Sequence, residues 1–202
     1  AGRVLAIVGG NGSGKSTAPH ALAGLLRPQR GRVRQTRDRQ LKIALLPQDP
    51  RALFVSDTLR QDLALFAEPS GRSQQEVLDM AATLGLESLL DHHPLDLSGG
   101  EQQKAALGML LLTQPDIFLL DEPTKGLDIR TRNDLAEILT AQSAQGVAVV
   151  IVTHDLEFAA AHAHTCAMIF NGEVTCVEPT RSFFSGNTFY TTAASRISRG
   201  LL

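Results

Sequence analysis

Several features that would steer a reading elsewhere are scarce in this 202-residue chain. No run comes near the ~18 consecutive apolar residues that mark a membrane-crossing helix, so no span is predicted. No charged leader precedes the first apolar run, which starts at Val4, and the chain is read as cytoplasmic in character. Tryptophan is absent, tyrosine occurs once and cysteine twice. Cys166 and Cys176 flank an Asn171-Gly172 turn between apolar residues, the pattern of a two-residue hairpin. That register sets Cys176 against Ala167, not Cys166, so both are expected to stay reduced. His92-His93 and His162/His164 have no cysteine or carboxylate companions at ligand spacing, and solvated or capping roles are expected for them. Charge of neither sign is in excess: a formal net charge of -2 gives no general attraction to nucleic acid. One basic stretch, Arg27 to Arg39 with Arg30, Arg32, Arg34 and Arg37 between them, lacks interleaved aromatics and reads as a solvated loop touching a partner. Internal repeats and low-complexity linkers are missing as well.

What the chain does have is apolar content, 43% of residues, enough for one large domain or a domain with an insertion. Nearly continuous apolar runs at Val4 to Val8, Ile43 to Leu46, Ile117 to Leu120 and Val147 to Val152 fit parallel strands buried on both faces. Helical patterns at Ser16 to Leu26 and Asp134 to Ala144 alternate with them. Between Pro50 and Leu112 the pattern is helical only, clearest at Gln74 to Leu84 and Gly100 to Leu112. The fold class expected is α/β: a parallel sheet flanked by helices, with a core of residues 1–50 and 113–202 and a helical subdomain, 51–112, inserted in it.

The stretch Gly9 to Ser16, GGNGSGKS, followed by Thr17, fills the phosphate-loop template GxxxxGK[ST] directly after the first apolar run. Strand, glycine-rich turn and helix in that order aim backbone N–H groups and a positive helix end at one point, which suits a polyphosphate. Asn11, Gly12, Ser13, Gly14, Lys15, Ser16 and Thr17 are therefore candidate nucleotide-binding residues. Lys15 is assigned to the β- and γ-phosphates and the Ser16 hydroxyl to Mg²⁺.

Other motifs sit where strands end. The run Ile117-Phe118-Leu119-Leu120 delivers Asp121-Glu122, and two adjacent acids at the carboxyl end of a buried strand are costly without a partner. Asp121 is the candidate Mg²⁺ residue, opposite Ser16, and Glu122 the candidate general base toward water. A plain strand-end cap is the weaker reading. The run Val147 to Val152 likewise delivers Thr153-His154-Asp155, which places an imidazole near a γ-phosphate or attacking water, or equally an N-cap for a helix from Leu156. In Leu97-Ser98-Gly99-Gly100-Glu101-Gln102-Gln103, Ser98 and Glu101 form a capping box, yet the two glycines also leave a bare helix N-terminus fit for phosphate. One chain does not easily bring two such ends to one nucleotide, whereas two chains do.

In this order, with Gln48 after a strand, LLDEP and GLD at 126 to 128, the motifs resemble those of the ATP-binding-cassette (ABC) ATPases over nearly the whole chain. The resemblance implies a phosphate-loop NTPase of the cassette fold, an ATPase using ATP and Mg²⁺. It also implies head-to-tail pairing with a second cassette, identical or on the same polypeptide, so that Ser98, Gly99 and Gly100 close on the partner's ATP. By position, Gln48 would sense Mg²⁺ and a membrane partner, Asp128 would couple the two sites, and His154 would be the switch histidine. Asp121 to Asp128 and the tail Phe183 to Ala194 resemble the second cassette of energy-coupling-factor importers of vitamins and transition-metal ions. That likeness implies a transmembrane coupling subunit, a small substrate-binding membrane subunit, and a peripheral place on the cytoplasmic face of the membrane. Nucleic acid is not an expected partner; the alternative is a soluble cassette acting on nucleic acid or ribosomes. Two departures stand out. The family's adenine-stacking aromatic precedes the phosphate loop on a strand expected to be missing here, as in the second half of a longer polypeptide; the stacking is worth ~1 kcal/mol. Pro19 stands in the phosphate-loop helix, and for a helix starting near Gly14 it implies a kink or tightened first turn at a cost of ~3 kcal/mol.

Overall fold

The apolar runs pair as the strands of one six-stranded sheet. In chain order these are β1 (Val4–Gly9), β2 (Ile43–Leu46), β3 (Ile117–Asp121), β4 (Ala148–Val152), β5 (Thr165–Phe170) and β6 (Glu173–Pro179). Their spatial order is β2-β3-β4-β1-β5-β6. All neighbours are parallel except β5 and β6. The molecule is described by a computed structural model covering residues 2–10, 12–34 and 40–186. The candidate ligand Asn11, Arg37 and Arg39 of the basic stretch, and the tail from Asn187 to Ala194 lie outside these residues.

The described residues include seven α-helices, six between strands and one after β6: α1 (Thr17–Leu22), α2 (Leu59–Ala67), α3 (Gln74–Leu84), α4 (Gly99–Leu112), α5 (Ile129–Ala144), α6 (Leu156–His162) and α7 (Thr180–Gly186). Phe118, Leu120, Val149 and Ile151 of the sheet pack with Leu107 and Leu110 of α4 and Leu135 and Leu139 of α5. Ala6, Val8 and Cys166 pack with Ala159 of α6 and with Phe183 and Phe184 of α7. Leu59, Leu63, Val77, Leu84, Met109 and Leu112 build a separate cluster from α2, α3 and α4. Each of these three helices starts at a capping box, Thr58/Gln61, Ser73/Glu76 and Ser98/Glu101, which satisfies backbone donors at its first turn. Because β1 through β5 run the same way, their carboxyl ends share one edge: Ile7 and Asp121 are both in register with Val152.

Three local departures from the expected elements have physical causes. The hairpin turn is the expected Asn171-Gly172, with φ of 50° and 80° as a mirror-image turn demands. A bulge at Met168/Ile169 then shifts the register, so Cys176 faces Met168 and not Ala167. The hydroxyl of Thr175, the extra residue, donates to the Met168 carbonyl at 3.2 Å. Both cysteines are free thiols. Helix α5 begins five residues before the expected Asp134, because the Asp128 carboxylate caps it by accepting from the Thr131 N–H.

Helix α1 is shorter than its pattern suggested. It ends before Gly24, whose φ of 78° breaks helical geometry. At its start, Thr17 and Ala18 donate to the Gly14 and Lys15 carbonyls, three residues back, at 3.1 and 3.3 Å. This is the tightened first turn expected from Pro19. With Ser16 as cap, however, Pro19 falls where no intrahelical N–H bond is made, so the ~3 kcal/mol of an interior proline does not apply.

Two outcomes are expected. Pro19→Leu lets the first turn relax toward regular helix and should tighten ATP binding several-fold in a titration; equal affinity would show that the turn does not limit binding. Gly108 sits where α4 meets α3, and a Cβ there would lie 2.5 Å from Leu84 Cδ1. Gly108→Val should therefore cost ~1–3 kcal/mol in chemical denaturation.

Candidate nucleotide site

The shared strand edge collects the polar motifs. The phosphate loop leaves β1 at Gly9, turns through Gly12 and Gly14 with φ of 75° and 91°, and enters α1 at Thr17. Gly9 is required by packing: a Cβ would lie 2.3 Å from the Ile169 carbonyl oxygen. Lys15 folds back over the loop, where its Nζ donates to the Gly10 carbonyl at 2.8 Å, and the side chain is largely buried. Ser13 Oγ is buried and has no hydrogen-bond partner among the described residues.

Ser16 Oγ donates to Asp121 Oδ1 at 3.0 Å. Asp121 is 2% exposed, and burial pushes its carboxyl above the ordinary range while the Ser16 bond pulls it down; the charge of neighbouring Glu122 adds to the rise. A buried carboxylate beside a hydroxyl is a hard-oxygen pair that fits Mg²⁺, which takes one or two protein ligands together with phosphate and water. The ion would also add positive charge beside Asp121, where Lys15 and His20 already act to lower the carboxyl.

Glu122 has φ of 50°, a strained conformation for a side chain of its size. Three contacts converge on its Oε2: the Thr153 hydroxyl at 3.3 Å, the His154 backbone N–H at 3.3 Å and His154 Nδ1 at 2.7 Å. The Glu122 N–H donates to the Val152 carbonyl at 2.8 Å. Together these hold the carboxylate at the mouth of the strand pair.

A cleft of about 640 Å³ joins these parts, lined by Gly12, Gly14, Lys15, Ser16, Thr17, Gln48, Glu122, Lys125 and His154. The structure thus brings Gln48, from the end of β2, to the same space as the phosphate loop and the Glu122-His154 pair, with Asp121 attached through Ser16. Ser98, Gly99, Gly100 and Asp128 do not line this cleft. Of these, Gly100 and Asp128 are linked through Thr131. Asp128 accepts from the Thr131 N–H at 2.9 Å and hydroxyl at 3.0 Å, bonds that hold its carboxyl below the usual range. Thr131 in turn lies against Gly100, where a Cβ would be 3.2 Å from its Oγ1. Ser98, Gly99 and Asp128 are exposed.

Sequence reasoning missed Lys125 and Thr153, although both adjoin motif residues. It also missed Gln103, whose Nε2 donates to the Pro123 carbonyl at 3.1 Å and ties α4 to the Glu122 strand end. Nothing in the local pattern marks that long-range bond.

Residues 1–125 match the family model described as ABC transporter. A Bacillus cereus protein named as an ABC transporter ATP-binding protein is 38% identical over 209 aligned residues, covering 98% of this chain and 38% of the relative. A Bacillus subtilis protein named as an HMP/thiamine import ATP-binding protein is 31% identical over 186 residues, covering 85% of this chain and 34% of the relative. The chain therefore spans little more than a third of the length of these relatives. Among solved structures, cbiO1 from Clostridium perfringens, part of the ABC transporter complex cbiONQ, superposes with a TM-score of 0.79 at 25% identity, covering 98% of this chain and 82% of that one.

Proposed function

The chain belongs to the ABC transporter ATP-binding family, and on that premise we propose that it is the ATP-hydrolysing cassette of an importer for a vitamin or a transition-metal ion. The observation that carries the proposal is the single cleft uniting Lys15, the Ser16-Asp121 pair and the Glu122-His154 pair. In this reading the loop amides and Lys15 bind the ATP phosphates, and Ser16, Asp121 and Gln48 hold Mg²⁺, which would offset phosphate charge as it develops. Glu122 accepts the proton of the attacking water, and His154 fixes the orientation of that carboxylate. Residues 51–112 form the subdomain that carries Ser98, Gly99 and Gly100 to the nucleotide of a second cassette, with Asp128 at the same seam. This division accounts for the exposure of Ser98, Gly99 and Asp128 and for all four residues standing apart from the chain's own cleft.

The importer class draws support from the thiamine-import name of the Bacillus subtilis relative and from the cbiO1 likeness. Its implied partners are a second cassette, a transmembrane coupling subunit and a small substrate-binding membrane subunit, with the chain peripheral on the cytoplasmic membrane face. No helix of the described residues is long and apolar enough to cross a membrane, which fits a subunit that borrows its membrane path from partners. A soluble cassette acting on nucleic acid or ribosomes is not favoured, because the relatives described above are named for transport.

Glu122→Gln keeps the hydrogen-bonding shape but removes the base. It should lower ATP turnover by ~10²–10⁴-fold while ATP binding persists, in steady-state hydrolysis and nucleotide-binding assays. Unchanged turnover would remove Glu122 from the chemistry. Purification of the full-length protein from detergent-solubilised membranes should bring down a multi-span membrane subunit and a small apolar one; soluble partners alone would overturn the importer assignment.

A further inference from the structure

Arg132 of α5 and Asp155, the residue that caps α6, form an ion pair that the cleft chemistry above leaves unused. Arg132 Nη2 donates to Asp155 Oδ1 at 3.0 Å, and the same oxygen accepts the Phe158 N–H at 2.9 Å. The guanidinium also lies over the Phe158 ring, 5.5 Å from its centroid, while that ring is buried in the core. Asp155 is thereby gripped on its carboxylate side.

Its backbone side leads to the cleft. The Asp155 N–H donates to Thr153 Oγ1 at 3.0 Å. A hydroxyl that accepts there still has one proton to give, and that proton goes to Glu122 Oε2, 3.3 Å away. His154, between the two, reaches the same oxygen through both its backbone N–H and Nδ1. The short turn 153–155 is thus pinned at one end by the Thr153 N–H on the Ile7 carbonyl, at 3.1 Å, and at the other by Arg132. Arg132 in turn lies one helical turn past exposed Asp128, with its N–H on the Asp128 carbonyl at 3.0 Å. Capping alone does not account for Arg132, because the Phe158 N–H already gives Asp155 its cap.

We propose that Arg132 is a positioning residue: acting through Asp155, it holds the Thr153-His154 turn and so sets the orientation of the Glu122 carboxylate. The inference rests on the ATPase reading above. It ties the helix that begins at the candidate inter-cassette residue to the candidate base by an unbroken run of hydrogen bonds.

The test uses the full-length protein. Arg132→Gln should lower kcat for ATP about ten-fold while KM for ATP stays within about two-fold. Arg132→Lys, which keeps the charge, should recover most of the loss. Asp155→Asn keeps the cap oxygen but loses the charge and should match Arg132→Gln, and the double variant should be no slower than either single one. A wild-type kcat in Arg132→Gln, or parallel losses of kcat, KM and thermal stability without rescue by lysine, would overturn the proposal. If the wild-type protein hydrolyses no ATP, the ATPase reading fails separately. The positioning role is then decided by the ¹⁵N resonances of the His154 ring, assigned with His154→Gln. Arg132→Gln should shift them, and unchanged resonances would overturn it.

Discussion

Two backbone registers govern the arrangement of this molecule: Ile7 beside Val152, and Asp121 beside Val152. Parallel pairing of β1, β4 and β3 puts three strand ends level, so the first polar residue after each apolar run emerges at the same edge. From β1 comes the phosphate loop, from β3 the Asp121-Glu122 pair, and from β4 the Thr153-His154 turn. A slip of one residue in either register would turn Asp121 or Thr153 to the opposite face of the sheet and disconnect Ser16 from its carboxylate partner. The apolar pairs Leu120/Ile151 and Leu119/Val150, all in the sheet interior, are what make such a slip costly.

Much of this was readable from residue order alone. Strands β2 and β3 start where their apolar runs start, and α3 has the bounds its capping box and Gly85 imply. Glu122, His154 and Lys15 were legible because each lies immediately after a buried strand or inside a phosphate-binding template. Less legible were features set by distant atoms. The bulge that moves Cys176 opposite Met168 follows from how β6 meets β5, and no residue in the hairpin announces it. The early start of α5 was available in Asp128, an N-cap residue that the apolar periodicity alone passed over. Gly24 could likewise have been taken as the stop of α1. The Arg132-Asp155 pair joins two helices separated by a strand, a relation that spacing does not encode.

Strained Glu122 and the phosphate-loop turn share the carboxyl edge, whereas Gln114, at φ of 53°, precedes β3 at its other end. Glu122 at φ of 50° and the turn at Gly12 and Gly14 are adjacent in space to the hydrogen bonds that hold them. Local strain at these positions is offset by the pairing of the sheet behind them, so the rigid part of the fold supports a geometry that short peptides of the same sequence would not keep. The helical cluster of α2, α3 and α4 stands on a different footing. Its own apolar core and its three capping boxes make it self-consistent, and α4, shared between both clusters, is the mechanical link to the sheet.

The contact of Lys15 with the Gly10 carbonyl has a consequence for the order of the loop. A lysine side chain is long and flexible, and fixing it costs rotamer entropy. Here the ammonium is held by a peptide oxygen of its own loop and the side chain is largely buried, so that cost is met within the fold itself. The positive charge is thereby kept over the glycine-rich turn by a single self-directed hydrogen bond.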